Sequence, residues 1–151
     1  MNYQKEFKDI IVAVSSALGQ PIDLDEIEII DRGVPHTPAN LKPGTMGVYT
    51  FLYKDQFLKI GKAGPNSNPR FSSQHYNPGS SSSCLADSIL EDPDMTVHNL
   101  TVKSVGKWIK QNCRRIDILI GAGLDIFTLE LIESSLHYKY KPKYEGFSSQ
   151  R

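Results

Sequence analysis

Apolar residues at the start of the chain recur at helical spacing: Tyr3, Phe7, Ile10, Ile11, Val14 and Leu18 form one stripe, with Lys5, Lys8 and Asp9 off it. Gly19 and Pro21 end the run, so the pattern predicts an amphipathic helix over 3–18 whose stripe packs on a sheet. From Ile22 to Ile30 acidic and apolar residues come in turn, and three prolines between Arg32 and Gly44 impose an extended connector. The period then changes to two. Met46–Tyr53 (MGVYTFLY) and Phe57–Gly61 (FLKIG) are rich in Val, Ile, Phe and Tyr around the polar turn Lys54-Asp55-Gln56, which predicts an antiparallel hairpin. Side chains alternate along a strand, so Val48, Thr50 and Leu52 share one face and Gly47, Tyr49, Phe51 and Tyr53 the other. Tyr49 and Lys59 are expected to meet across the pair.

Past the hairpin, Lys62 to Cys84 is crowded with Gly, Pro, Ser and Asn and reads as loop, with a turn of helix around Phe71 to His75. Ser80 to Ser83 reads as a linker whose last serine caps a short helix, Leu85 to Leu90. Between Thr101 and Asn112, Val102, Val105, Trp108 and Ile109 make a helical stripe with Lys103, Lys107 and Lys110 outside it. Arg115 to Gly121 reads as a third strand, and Asp125 is placed to cap a last helix, Ile126 to Tyr140, before Pro142. The fold class is therefore mixed α/β (α+β): a small three-stranded, mainly antiparallel sheet flanked by helices. Residues 1–45 supply an N-terminal helix and connector packed on a core over 46–151.

Composition narrows the picture. At 151 residues and 39% apolar, the chain is large enough to build its own core as one domain. Seventeen basic and seventeen acidic residues cancel, so nucleic acid would have to be held by a local cluster and released readily by salt. No run approaches a membrane span and the first residues do not open a signal peptide, which points to a cytoplasmic chain with no membrane partner. Cys84 and Cys113 are far apart, with no CxxC and no nearby histidine pair, so a zinc site and a disulfide are both disfavoured. Nothing matches a P-loop, a dinucleotide fingerprint or a nucleophile elbow.

The chemistry-bearing residues gather near the hairpin. Tyr49, Lys59, Lys62 and Arg70 bring a phenol, two amines and a guanidinium to one end of the sheet, a grouping that suits a phosphate. A long irregular stretch inside a small domain is usually functional or disordered, and Arg70, His75 and Tyr76 favour function here. Glu133 shares a helical stripe with Leu129, Ile132, Leu136 and Tyr140. A carboxylate there needs a cation, a metal or the stripe's edge; Glu130 is the fallback.

The Gly47-Val48-Tyr49 strand, the Lys59-Ile60-Gly61 strand, the following Arg70, and Glu133 nine residues before Pro142 together resemble the signature of the GIY-YIG nuclease superfamily, over Met46 to Gly146. Lys59 stands where the family usually has tyrosine, as in some of its branches, and Lys143-Tyr144-Glu145 follows Pro142 where an asparagine is common. The resemblance implies a metal-dependent DNA endonuclease of a repair, restriction or mobile-element setting. In it Glu133 is the single carboxylate holding one Mg2+ or Mn2+, and Arg70 neutralises the phosphate. Tyr49 activates or positions the attacking water, its pKa lowered by Lys59 and Lys62; alternatively Lys59 is the base and Tyr49 orients water. His75 and Tyr76 are further candidates for phosphate contact or proton transfer. Lys107, Lys110, Arg114 and Arg115, with Lys139, Lys141 and Lys143, are candidates to track a DNA backbone beside the site. Cutting of both strands would suit a homodimer. The alternative is a degenerate fold of the same kind that binds nucleic acid or protein without cutting. The missing second-motif tyrosine and terminal asparagine favour that alternative, whereas Tyr49, Lys62, Arg70 and Glu133 favour the enzyme.

Overall fold

The computed structural model describes residues 1–145, so the end of the domain expected over 46–151 lies outside the described residues. Helix α1 (Tyr3–Ala17) starts at Asn2, whose side chain accepts the Lys5 amide. Strand β1 (Ile27–Gly33) follows, then β2 (Met46–Tyr53) and β3 (Gln56–Ala63). Short α2 (Asn68–Ser72), α3 (Leu85–Glu91) and α4 (Val105–Asn112) lead to β4 (Arg114–Ile120) and to α5 (Ile126–Tyr140), which Asp125 caps through the Thr128 amide. The hairpin turn is tighter than the sequence suggests. Lys54 and Asp55 alone make it, both at positive φ (47° and 63°), as two-residue hairpins that match strand twist require.

The sheet has four antiparallel strands in the order β1-β4-β2-β3, which corrects the three-stranded expectation. The added strand is β1. Its Ile27 and Ile29 face the core while Glu28 faces out, so the mixture of acidic and apolar residues in 22–30 ends as a strand covered on one side. Each face of the sheet carries its own core. On one, α1 and α5 pack Phe7, Ile11, Leu129, Ile132 and Leu136 onto Val48, Ile60, Ile116 and Ile118. Thr50 joins that face without cost because its hydroxyl donates to the Ile116 carbonyl at 3.0 Å. On the other, α3 and α4 bury Leu85, Ile89, Val105 and Ile109 with Tyr49, Phe51 and Leu58. The alternation of β2 is as its pattern predicts.

Two helix boundaries differ from the periodic reading. Helix α4 begins at Val105, and Val102 lies exposed in the preceding turn, where Ser104 Oγ accepts the Thr101 amide. Cys84, not Ser83, is the cap position of α3, and the Ser83 hydroxyl is engaged by Lys59. The outer edge of β3 is closed by the segment after α5: Lys143 and Tyr144 amides donate to Phe57 and Leu58 carbonyls, both at 2.9 Å. No described helix is long and apolar enough to cross a membrane.

Candidate functional site

The register of the hairpin sets the site. Tyr49 lies opposite Gly61 and Phe51 opposite Lys59, all on one face. The Tyr49 ring rests on Gly61: a Cβ there would stand 2.6 Å from Tyr49 Cζ. Gly61→Ala is therefore expected to displace the ring and cost about 1–3 kcal/mol, as overpacking does, which urea denaturation would measure.

Tyr49 is fully buried, and its hydroxyl lies 2.7 Å from His75 Nε2. The Leu85 amide donates to His75 Nδ1 at 3.2 Å, so in the neutral ring the proton sits on Nε2 and is donated to the phenol oxygen. Burial pushes the Tyr49 pKa up, Arg70 and Arg115 oppose it, and Glu145 and Glu133 add to the rise. This corrects the expectation of a phenol whose pKa Lys59 and Lys62 lower: burial outweighs the cations, and the cations acting on it are arginines.

His75 is held neutral by burial, then by Lys59, Arg70 and Arg115, with its pKa pulled down to about 2. Between its ordinary value of 6.5 and about 2, the unfolded chain takes up a proton here and the folded chain does not. Stability from this group is thus present above pH 6.5 and falls as pH falls through that window, by about 1.4 kcal/mol per pH unit. Urea midpoints in acid should accordingly drop more steeply for the wild type than for His75→Gln.

The two lysines part company. Lys59 is buried on the Tyr49 face; its Nζ donates to Ser83 Oγ at 2.8 Å and lies 3.3 Å from Glu145 Oε1. Lys62, three residues on, points to the opposite face and pairs with Glu133 of α5. The cation that Glu133 needs in its stripe is thus Lys62. Lys62, Glu133, Glu145 and Ser83 line one cleft of about 660 Å³ at the β3 edge, together with Asp87, Glu91 and His137. His137, one helical turn from Glu133, donates from Nε2 to the Ile60 carbonyl at 2.6 Å, which leaves Nδ1 as the lone-pair nitrogen of the neutral ring.

Several residues expected on a DNA-facing surface are elsewhere. Arg115 is fully buried among the rings of Tyr49, Phe51 and Phe71, with centroids 5.9, 5.3 and 4.8 Å away. Its Nε donates to Asp117 at 2.8 Å, Nη1 to Tyr76 Oη at 2.7 Å and Nη2 to the Phe71 carbonyl at 2.7 Å. Tyr76 is buried too, and its hydroxyl lies 2.9 Å from His36 Nε2. His36 Nδ1 donates to the Cys113 carbonyl at 2.7 Å, so the Tyr76 hydroxyl donates to Nε2 and every member of the chain is satisfied. Arg115, His75 and Tyr76 therefore hold the second layer on the sheet, and in this packing none is exposed to a phosphate. Arg114 projects from the other face, pairs with Asp31 and lies over the Tyr3 ring. Lys107 and Lys110 are exposed on α4, so the basic residues are divided between the two faces of the sheet and do not form one track. Both cysteines are free and buried, and burial pushes the Cys113 thiol up to about 12.

Among the described residues no three His, Cys, Asp or Glu side chains are grouped to hold a metal ion. Glu133 lines the cleft, but Lys62 already engages one of its oxygens, so a metal ion there would have to share or replace that ammonium and draw its remaining ligands from water and phosphate. The residues sequence reasoning passed over are His36, His137 and Asp117. Of these His137 was signalled, because four residues after Glu133 returns to the same face of a helix. Compared with family models, characterised proteins and solved structures, the chain matches none.

Proposed function

We propose that this chain is a metal-dependent endonuclease of the GIY-YIG kind, hydrolysing DNA phosphodiesters at the β3 edge. The observation that carries the reading is the cleft at the β3 edge lined by Lys62, Glu133, Glu145 and His137, beside a buried Tyr49 phenol on which the charges of Arg70, Glu145 and Glu133 act. Glu133 would hold a magnesium or manganese ion, which supplies positive charge to the phosphate when bound. Arg70 offers a forked pair of donors to phosphate oxygens. Tyr49, accepting a hydrogen bond from His75, keeps its own O–H, which would serve water or a phosphate oxygen only once substrate binding uncovers the buried ring. Lys62, paired with Glu133 in this structure, would then be free to turn to the phosphate.

A second reading, a nucleic-acid- or protein-binding fold that does not cut, is favoured by one feature: Tyr49 and Lys59 are both buried and tied to internal partners. A labelled DNA duplex distinguishes the two. Cutting in magnesium that stops in chelator is expected. A duplex that is bound yet intact across magnesium, manganese, pH and salt assigns the second reading.

A further inference from the structure

Lys59 is a buried cation at the edge of the sheet, and a charge so placed needs an anion. Its anion is Glu145, delivered to the β3 edge by a strap that is fixed there. The Lys143 and Tyr144 amides are bonded to β3, Tyr144 Oη donates to Asp92 at 2.5 Å, and Lys143 Nζ reaches Asp92 at 2.6 Å and Asp94 at 2.9 Å. One carboxylate oxygen, Glu145 Oε1, then faces both the Lys59 ammonium and the Ile60 amide, each at 3.3 Å. Ser83 Oγ accepts from Lys59 at 2.8 Å, which leaves its O–H as a third donor beside them.

An ammonium, a backbone amide and a hydroxyl gathered round one oxygen are the donors that a phosphate oxygen takes. The carboxylate that holds them fits loosely. Charge-assisted bonds run to about 2.7–2.9 Å, and both of its contacts are longer. It is also placed to leave, because the Glu145 side chain keeps 21% of its surface exposed and lines the cleft, whereas Lys59 keeps 1%. A phosphate that took its place would keep the ammonium paired, so the exchange leaves no buried charge alone. The charge of Glu145 acts on the Tyr49 phenol together with those of Arg70 and Glu133, which sets these donors beside the residues of the proposed reaction. We propose that Lys59, Ile60 and Ser83 form a phosphate site that the chain's own Glu145 occupies as a competitor, displaced when phosphate binds. That this phosphate belongs to DNA rests on the endonuclease reading.

Titration of the isotope-labelled full chain with inorganic phosphate, followed at the Ile60 amide by NMR in chelator and at constant ionic strength, tests this. Glu145→Gln keeps the shape and removes the charge, so it is expected to bind phosphate at least about tenfold more tightly than the wild type, its donors no longer held by an internal anion. Glu91→Gln changes the net charge equally from an exposed position on the same cleft and should alter the affinity less than about twofold. Glu145→Asp, one methylene shorter, should fall between wild type and Glu145→Gln, and it decides the matter where loss of the charge unfolds the chain. Equal affinity in the wild type and the Glu145 variants, an equal gain in Glu91→Gln, or an Ile60 amide that phosphate leaves unmoved overturns the proposal. A short DNA duplex, kept whole by the chelator, is expected to show the same gain with Glu145→Gln. A gain for phosphate without one for the duplex upholds the site and removes DNA as the source of its phosphate, which sinks the endonuclease reading alone.

Discussion

Asp117→Asn is expected to remove about 3–5 kcal/mol of folding stability, the scale for stripping one partner from a buried ion pair. Asp117 is fully buried and serves two guanidiniums, Arg115 at 2.8 Å and Arg32. Take away its charge and Arg115 stays where three aromatic rings and the Phe71 carbonyl hold it, with no anion to replace water. Natural domains hold only about 5–15 kcal/mol, so the variant should be largely unfolded at modest denaturant. Urea titration followed by Trp108 fluorescence measures the loss. Replacing Arg115 and Asp117 together by Met and Leu should cost less than Asp117→Asn alone, because the fully buried charge goes with its partner and only the partly exposed Arg32 is left without a carboxylate. A cost under about 1 kcal/mol for Asp117→Asn would mean the pair is solvated and not structural.

The second large effect rests on the proposed nuclease activity. Arg70→Ala is expected to lower the single-turnover cleavage rate about 10³-fold, the scale for removing an arginine that neutralises a phosphoryl transition state. Stability should change by no more than about 0.5 kcal/mol, since the residue sits half-exposed on a five-residue helix. Arg70→Lys should recover little, because a point charge lacks the forked donors that meet two oxygens. Wild-type rates in Arg70→Ala would remove this residue from the site.

Much of this architecture was legible from pattern alone. The hairpin, its facing of Tyr49 and Phe51 away from Val48 and Leu52, the Asp125 cap and the last helix all follow from periods of two and 3.6 residues and from turn chemistry. The strand β1 did not, because Asp23, Asp25 and Glu26 stand before it and the alternation holds only over Ile27-Glu28-Ile29, too short a run to be told from its acidic surroundings. The buried arginine was misread for a physical reason. Arg115 and Asp117 alternate with Ile116 and Ile118 as an exposed face would, and sequence carries no sign that a second layer of helices covers that face. The same layer explains His75 and Tyr76: their neighbours Phe71 and Leu85 pull the segment inward, so a loop rich in polar residues hides its aromatics. Lys59 and Lys62 fell on opposite faces by strand parity. Glu133 needed a cation, and that could be said from its stripe; that Lys62 provides it required the register.

The central claim is that Glu133 serves phosphodiester hydrolysis, and nicking of supercoiled plasmid in magnesium by wild type and Glu133→Gln, side by side, tests it most directly. The account predicts relaxed or linear product from the wild type, none in chelator, and a rate lower by about 10³-fold or more in the variant with unchanged circular dichroism. Equal nicking by both, or an intact plasmid with wild type in magnesium and in manganese, would contradict it.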